Sequence, residues 1–191
     1  MQSLSMLARE LIVPHRFRLP EYHRLLDSGV FGEEVHVELL AGIISEMSSQ
    51  GRDHVRAVST LGEILMGARR ADCRVRIQLP LSLAEDTEPE PDLAVVTRKE
   101  EEAGDRHPRM ALLVVEVSED SLQKDRLLKG RLYARAGVPE YWVVDLIGCS
   151  LEVYTQPGEE GYKSLRTLQD GQVLASPVLP ELSLPVAQLF D

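Results

Sequence analysis

Apolar residues recur at helical spacing in two long stretches of the chain. The first stretch, residues 53–71, has one apolar face formed by residues three or four positions apart: Val55, Val58, Leu61, Leu65 and Ala68. The second stretch, residues 122–136, ends at Gly137, and glycine commonly follows the last turn of a helix. A shorter helix is predicted to begin at Pro20, because proline suits the first helical position.

Runs of apolar residues with the length of β-strands follow the first long helix. The strand candidates are residues 74–78, 93–96, 111–117 and 141–145. The run 111–117 is almost entirely apolar, which is typical of a strand that is buried on both faces. Residues 99–109 are charged and contain a glycine and a proline, so they are predicted to form a surface loop or a frayed helix.

Further short strands are predicted before and after this central group. Residues 35–40 and 43–47 are two apolar-rich runs joined by Ala41 and Gly42, an arrangement typical of a β-hairpin. Several glycine-containing turns after residue 147 indicate a meander of short strands. The complete order of elements predicts an α/β protein with a central mixed β-sheet flanked by helices and with additional antiparallel strands.

Length and composition favour one domain. The chain has 191 residues, and 43% of them are hydrophobic, which is enough for one sizeable core. We interpret residues 15–191 as a single domain and residues 1–14 as an N-terminal arm that is loose or packs on a partner. No apolar run reaches the ~20 residues that a membrane span needs, so no membrane partner is expected.

Two further features of the sequence indicate a cytoplasmic protein. Cys73 and Cys149 have no metal-ligand spacing, and a disulfide between them is possible but not favoured. The N-terminus lacks the basic-then-apolar order of a signal peptide. A reducing cytoplasm is therefore the expected location.

The charge of the chain limits the kinds of partner it can bind. Asp and Glu number 31 and Lys and Arg number 21, so the formal net charge is −10 at pH 7. Proteins that hold duplex DNA through its phosphates usually have a basic patch. The acidic excess argues against tight, indiscriminate DNA binding by the metal-free monomer, and carboxylates gathered at a metal site would account for part of it.

Two carboxylates occupy strand positions where a charge is costly to bury. Asp92 follows Pro89 and Pro91 at the entrance to a buried strand, and Glu116 lies inside the apolar run 112–117. If the two acids converge they need a cation, and oxygen ligands suit Mg²⁺ or Mn²⁺. Taken alone, Asp92 is better explained as the cap of a turn, and Glu116 pairs with a lysine or arginine about as readily as with a metal.

A lysine on the following helix is a candidate partner of these acids. Lys129 and Asp125 are four residues apart and share one helix face, close to the apolar side of the helix. From there Lys129 would point toward the end of the Glu116 strand. It could hold a water that a bound metal activates as a nucleophile, and it could stabilise the negative charge that develops in the reaction. On spacing alone, an ordinary surface pair of Asp125 and Lys129 is favoured. Lys124 shares another face with two arginines, which either follows a phosphate backbone or, as we favour, is solvated.

Several segments of the chain together resemble one known family. The segments are Glu-Leu-Leu-Ala-Gly at 38–42, His54, Pro-Glu-Pro-Asp at 89–92, Val-Glu-Val-Ser at 115–118, Asp125, Lys129, Tyr133 and Gly-Val-Pro-Glu-Tyr-Trp at 137–142. The last block is the most specific of them. From about Phe17 to Phe190 the chain is similar to the bacterial Uma-two family of restriction endonucleases, which belongs to the PD-(D/E)xK nuclease superfamily.

The resemblance implies a restriction-endonuclease-like fold and a set of site residues. It implies that Asp92 and Glu116 bind the metal. In the superfamily pattern a lysine stands two residues after the second acid, but Ser118 occupies that position here. The resemblance therefore implies that the lysine has moved to the following helix, where Lys129 fits. It also implies that Glu38 contributes an acid from an early element.

Four more residues, Gln78, His54, Asp125 and Ser118, are given supporting roles. Gln78 matches a polar residue that some superfamily members place near the site. His54 matches a family position, although it also opens a helix and would there cap or pack it. Asp125 would position Lys129, and Ser118 or Ser121 would cap the helix that follows.

Two functions remain open from the sequence. The first is a nuclease that hydrolyses phosphodiester bonds with Mg²⁺ or Mn²⁺, with DNA as the favoured nucleic acid. The second is a catalytically inactive protein of the nuclease fold that acts as a binding or assembly module. Catalysis requires Asp92, Glu116 and Lys129 to converge around a solvent-reachable pocket. A homodimer is predicted, because the apolar arm and the late meander give more apolar edge than a lone domain needs to expose.

Overall fold

The computed structural model describes residues 13–32, 34–48, 50–104 and 106–190 of the chain. Residues 1–12 of the proposed N-terminal arm lie outside these ranges, so the arm stays a prediction. Within the described ranges, no helix has both the length and the apolar character that crossing a membrane requires.

A short helix and a hairpin begin the described structure. Helix α1 (Leu19–Asp27) has Pro20 in its first turn, as predicted. Strands β1 (Val37–Leu40) and β2 (Ile43–Glu46) pair antiparallel across a two-residue turn, which confirms the predicted hairpin. The turn residues Ala41 and Gly42 both have positive φ, the conformation that such tight hairpin turns require.

A mixed sheet of six strands lies at the centre of the described structure. In their order across the sheet the strands are β3 (Cys73–Ile77), β4 (Leu93–Thr97), β5 (Leu113–Ser118), β6 (Glu140–Asp145), β7 (Ser150–Gly158) and β8 (Gly161–Leu168). Strands β5 and β6 are parallel, and the other neighbouring pairs are antiparallel. The predicted central mixed sheet is therefore confirmed. A separate antiparallel pair, β9 (Val173–Ala175) with β10 (Ser183–Pro185), follows it.

Helices connect the strands and cover the sheet. Helix α2 (Arg52–Ala68) precedes β3 and matches the first predicted long helix, although it ends before residue 71. Between β4 and β5, where a loop or frayed helix was expected, helix α3 (Arg98–Glu101) makes a single turn. The crossover from β5 to β6 holds the second predicted long helix.

The second long helix is not continuous, which corrects the prediction. It consists of α4 (Leu122–Lys124), a π-helical turn (Asp125–Lys129) and α5 (Gly130–Arg135). In the π turn the N–H of Gly130 donates to the carbonyl of Asp125, five residues earlier, instead of four. We call residues 122–135 the Lys129 helix.

The two faces of the sheet pack against different helices. Leu93 and Val95 point to the face covered by the buried side of α2. Their neighbours Ala94 and Val96 point to the other face and pack in a cluster with Tyr133 of the Lys129 helix. This alternation is the ordinary period of a strand that is buried on both faces. The sheet therefore lies between α2 and the Lys129 helix.

The buried face of α2 gives a test of this arrangement. Leu61 has no exposed surface, whereas Val55, which the spacing placed on the same apolar face, is half exposed, so the prediction for Val55 is wrong. We expect Leu61→Ala to lower the free energy of unfolding by about 2–5 kcal/mol, because it leaves a cavity between α2 and the sheet. Val55→Ala should change that free energy by less than about 0.5 kcal/mol. Urea denaturation measures both, and equal losses would contradict the assignment of the two faces.

Candidate active site

Asp92 and Glu116 lie beside each other at one end of the sheet. Strands β4 and β5 are antiparallel, with Leu93 opposite Val115. One further step along this register places Asp92 opposite Glu116, and directly opposite residues of an antiparallel pair point to the same face. The N–H of Val117 also donates to Asp92 Oδ2 over 2.8 Å. The two acids are therefore neighbours, as predicted, while their binding of a metal stays a prediction.

His54 contacts Asp92 from the first turn of α2. Its Nε2 lies 3.1 Å from Asp92 Oδ1 and 3.2 Å from Oδ2. Burial acts to lower the pKa of His54, but the hydrogen bond and the charge of Asp92 outweigh it and raise the pKa. The other ring nitrogen, Nδ1, is buried and has no hydrogen-bond partner within the described part of the chain. His54 thus contacts a predicted site residue and makes no capping bond in its helix, while its supporting role stays a prediction.

A backbone bridge brings a third acid to the same place. Leu39 in β1 and Glu88 exchange two backbone hydrogen bonds, of 3.1 and 2.7 Å. The bridge holds the neighbouring Glu38 close to the segment that leads into β4. The N–H of Glu90 donates to Glu38 Oε2 over 3.4 Å, and the Glu38 side chain is fully buried. Glu38 therefore joins the site from an element distant in sequence.

Lys129 lies between Glu38 and Glu116. Its Nζ is 3.1 Å from Glu38 Oε2 and 3.0 Å from Glu116 Oε1. Tyr133, one helical turn later, also donates its hydroxyl to Glu116 Oε1, over 2.6 Å. The Lys129 and Asp125 side chains are both buried, so the surface pair that spacing alone favoured is wrong.

Burial governs the ionisation of this cluster. It raises the pKa of Glu116 to about 8, although the charge of Lys129 acts to lower it. Burial alone would lower the pKa of Lys129, but Glu116 and two further carboxylates raise it above its ordinary value. Burial also raises the pKa of Tyr133, so its hydroxyl stays a neutral donor. Lys129 therefore remains an ammonium, and it offsets only part of the desolvation of Glu116.

Two serines and Asp125 fix the start of the Lys129 helix to the end of β5. The Ser118 hydroxyl donates to Asp125 Oδ2 over 2.7 Å, and the Ser121 hydroxyl donates to the same oxygen. The Tyr141 hydroxyl donates to the backbone carbonyl of Asp125 over 3.1 Å. Ser121 stands at the N-cap but makes no side-chain capping bond, so the capping role expected of it is wrong. Its hydroxyl is occupied by the buried Asp125 carboxylate instead.

Lys124 also lies in the site, so its expected solvated position is wrong. Its Nζ is 3.1 Å from Glu38 Oε1. In an ordinary α-helix, residues five apart are about 140° out of phase, which would direct Lys124 and Lys129 to different sides. In the π turn between them the backbone hydrogen bond spans five residues instead of four. Residues five apart are then directed to the same side of the helix. Each lysine therefore reaches one oxygen of Glu38.

A small cleft of about 80 Å³ opens at this end of the sheet. Six of the predicted site residues line it: Glu38, His54, Asp92, Glu116, Asp125 and Lys129. Ser118 is buried and reaches the cleft through its bond to Asp125. Gln78 borders a neighbouring cavity instead, and its part in the site stays a prediction.

Three residues of the site were not predicted from the sequence. Lys124 and Tyr133 contact the acids directly, and Glu90 lines the cleft with a half-buried carboxyl whose pKa is raised by burial. The sequence held a signal for Glu90, because it stands two residues before Asp92 and alternate residues of an extended segment share a face. Tyr133 held one too, since it stands four residues after Lys129.

The carboxylates of the cleft fit a hard divalent cation. Mg²⁺ is commonly held by one or two carboxylates together with water, and Asp92 and Glu116 supply two from neighbouring strands. Over the residues that the structure describes, no group of three or more His, Cys, Asp or Glu side chains is arranged to hold a metal ion, so the binding of a cation by this pair stays a prediction. The buried Glu116 carboxyl, with too little compensating charge, is the observation that favours a cation. An all-oxygen donor pair fits Mg²⁺ or Mn²⁺ better than a metal that prefers nitrogen or sulfur.

Both the sequence and the fold of the chain have known relatives. Residues 19–187 match the Uma2 family, which is described as "Putative restriction endonuclease". The fold is similar to a crystal structure described as "a putative nuclease belonging to DUF820 from Anabaena variabilis", with a TM-score of 0.71. The two chains are 17% identical, and the match covers 91% of this chain and 97% of that chain, so this likeness shows the fold. No curated protein sequence matches the chain significantly.

The raised pKa of Glu116 predicts how stability depends on pH. A carboxyl whose folded-state pKa lies above its unfolded value stabilises the fold at low pH, and this contribution is lost as pH rises through the folded value. Without divalent metal, Glu116 should therefore lower the free energy of unfolding between pH 5 and pH 8, by at most about 1.4 kcal/mol per pH unit. Glu116→Gln should flatten this slope, whereas Glu63→Gln, an exposed change on α2, should not. Denaturation in a chelator measures the slopes, and identical slopes for all three proteins would contradict the assignment.

Proposed function

Since this chain belongs to the Uma2 family of restriction endonucleases, we propose that it is a metal-dependent nuclease that hydrolyses the phosphodiester bonds of nucleic acid. The observation that carries the proposal is the convergence of Asp92, Glu116, Glu38 and Lys129 in one cleft at the end of the sheet. A binding module of the same fold has no need to bury a lysine between two carboxylates. Catalysis requires this kind of convergence.

Asp92 and Glu116 are the proposed metal ligands, and Glu38 completes or tunes their surroundings. A bound Mg²⁺ or Mn²⁺ would polarise a phosphoryl oxygen and activate a bound water as the nucleophile. His54 would hold the Asp92 carboxylate in a fixed orientation through Nε2. Residues that hydrogen-bond to a metal ligand commonly fix its orientation in this way.

Lys129 is the proposed substitute for the lysine that Ser118 displaces. Its raised pKa keeps it an ammonium, so it acts as a donor and not as a base. It would orient the attacking water and offset the negative charge that develops on the phosphoryl group. Ser118 and Asp125 would support it indirectly, because their hydrogen bond fixes the helix that carries it.

Tyr133 adds a second donor to the same carboxylate. Its neutral hydroxyl shares Glu116 Oε1 with Lys129, which leaves the other oxygen of Glu116 for a cation. A carboxylate that is held at one oxygen keeps a fixed direction at the other. Gln78, in the adjoining cavity, would contact the substrate further from the scissile bond.

DNA is the proposed substrate, and the cytoplasm is the proposed location. With a net charge of −10 the metal-free chain would repel phosphates overall, so a bound cation would add to affinity as well as to chemistry. The two described cysteines, Cys73 and Cys149, are both free thiols, as a reducing compartment would maintain them.

A cleavage assay tests the proposed activity. We expect the wild-type chain to cleave labelled single-stranded or duplex DNA when Mg²⁺ or Mn²⁺ is added, and not in a chelator. Asp92→Asn, Glu116→Gln and Lys129→Met should each lower the rate about 100-fold or more, because the first two weaken the proposed metal site and the third removes the ammonium that would offset the developing charge. Glu63→Gln should keep the wild-type rate. Thermal unfolding should accompany each assay, so that loss of fold is separated from loss of chemistry.

Several outcomes of this assay would contradict the proposal. Cleavage that survives Asp92→Asn and Glu116→Gln would show a contaminating nuclease or another site. Binding of DNA without any cleavage would instead favour the inactive binding module. Full activity in Lys129→Met would show that the chemistry uses another cation.

A homodimer is the proposed assembly. Strand β8 lies at the edge of the described sheet, and Leu165 on it is half exposed. An exposed edge with apolar side chains favours pairing with a second chain. Sedimentation velocity should show a dimer at tens of micromolar, and a monomer at every concentration up to the high micromolar range would refute this.

A further inference from the structure

Two lysines contact Glu38, and they differ in their access to solvent. The Lys129 side chain is 5% exposed and is bound by two carboxylates. The Lys124 side chain is 29% exposed, and within the described part of the chain its Nζ contacts Glu38 Oε1. Lys129 is thus part of the buried structure of the site, whereas Lys124 stands at the mouth of the cleft.

The ion pair of Lys124 is not needed to neutralise Glu38. Glu38 already has the buried ammonium of Lys129 at its other oxygen. Because the Lys124 ammonium reaches solvent, water and salt screen its pair with Glu38 more than they screen the buried Lys129 pair. An ammonium has three donor hydrogens, and Glu38 takes one of those of Lys124. Lys124 therefore has donors available for a ligand that enters the cleft.

The backbone is built to place Lys124 there. Without the π turn, Lys124 and Lys129 would be about 140° apart around the helix. The turn brings both to Glu38, and π turns inside α-helices are found frequently at functional sites. The π turn therefore positions Lys124 at the mouth of the cleft as well as Lys129 inside it.

We propose that Lys124 is a substrate-binding residue of the cleft, which contacts a phosphate of the nucleic acid at or beside the scissile bond. This inference rests on the proposed nuclease function. The ligand chemistry follows from the ammonium group itself. It is positively charged and reaches solvent, so the ligand group that it binds should be an anion, which in a nucleic acid is a phosphate. Lys124 therefore adds a positive contact where the chain is otherwise strongly negative.

The salt dependence of binding tests the contact without relying on catalysis. Each phosphate neutralised by a lysine adds about 0.9 to the slope of log affinity against log salt for duplex DNA, and about 0.7 for a single strand. Fluorescence anisotropy of labelled oligonucleotides in Ca²⁺, with a gel to show that they stay intact, measures this slope. We expect Lys124→Gln to reduce it by about one contact and to weaken binding equally for all sequences. Lys124→Arg should restore most of it.

A matched control separates a specific contact from a general loss of charge. Lys163 is exposed on β8 and does not line the cleft, so Lys163→Gln removes the same charge elsewhere. This variant should keep the wild-type slope, and all variants should keep the wild-type melting temperature within a few degrees. An unchanged slope in Lys124→Gln, or an equal loss in Lys163→Gln, would overturn the inference.

The two proposals fail in different ways. Wild-type protein that binds with a steeper salt slope than Lys124→Gln but never cleaves in Mg²⁺ or Mn²⁺ refutes the nuclease while supporting Lys124 as a phosphate contact. Wild-type protein that cleaves, with the same slope as Lys124→Gln, refutes the contact alone. Wild-type protein that binds neither oligonucleotide overturns the contact as well, because no phosphate is then held.

Discussion

The central constraint of this molecule is that two carboxylates, Glu38 and Glu116, are buried within reach of one ammonium. A buried charge is tolerated when it is paired and hydrogen-bonded, and Lys129 pairs with both acids, although its charge offsets only part of the desolvation of Glu116. Because the ammonium must reach both, the helix that carries it has to cross the end of β5. The hairpin that carries Glu38 has to pack beside β4 for the same reason. The position of two separate elements is thus coupled to one side chain.

The approach of Lys129 to Glu116 from a helix has a structural explanation in the same region. A lysine two residues after Glu116 would project from the strand itself, but Ser118 stands there and donates to Asp125. This bond fixes the first turn of the Lys129 helix, and the lysine then approaches Glu116 from the helix instead of from the strand. The position of Lys129 beside Glu116 therefore depends on the hydrogen bond from the buried Ser118 to Asp125.

The fold was predictable because its signals are local and periodic. Apolar runs marked the central strands, three- and four-residue spacing marked α2, and a glycine turn marked the hairpin. Asp92 and Glu116 could be expected near each other because both stand at strand positions where a charge is costly. Lys124 could not be placed, because a one-residue insertion in the helix changes its direction by more than a quarter-turn and leaves no trace in the hydrophobic pattern. The contact between Glu38 and two lysines depends on this insertion and on pairing across more than eighty residues.

Direct binding of Mn²⁺ tests whether Asp92 and Glu116 form a site for a divalent cation, on which the proposed chemistry depends. Electron paramagnetic resonance counts bound and free Mn²⁺ at equilibrium, with no dependence on a substrate or on catalysis. We expect saturable Mn²⁺ binding to the wild-type chain at neutral pH, displaced by Mg²⁺. We expect the same binding in Glu63→Gln and its loss in Asp92→Asn and Glu116→Gln. Equal Mn²⁺ binding by all four proteins, or no binding by the wild-type chain, would contradict the proposed metal site.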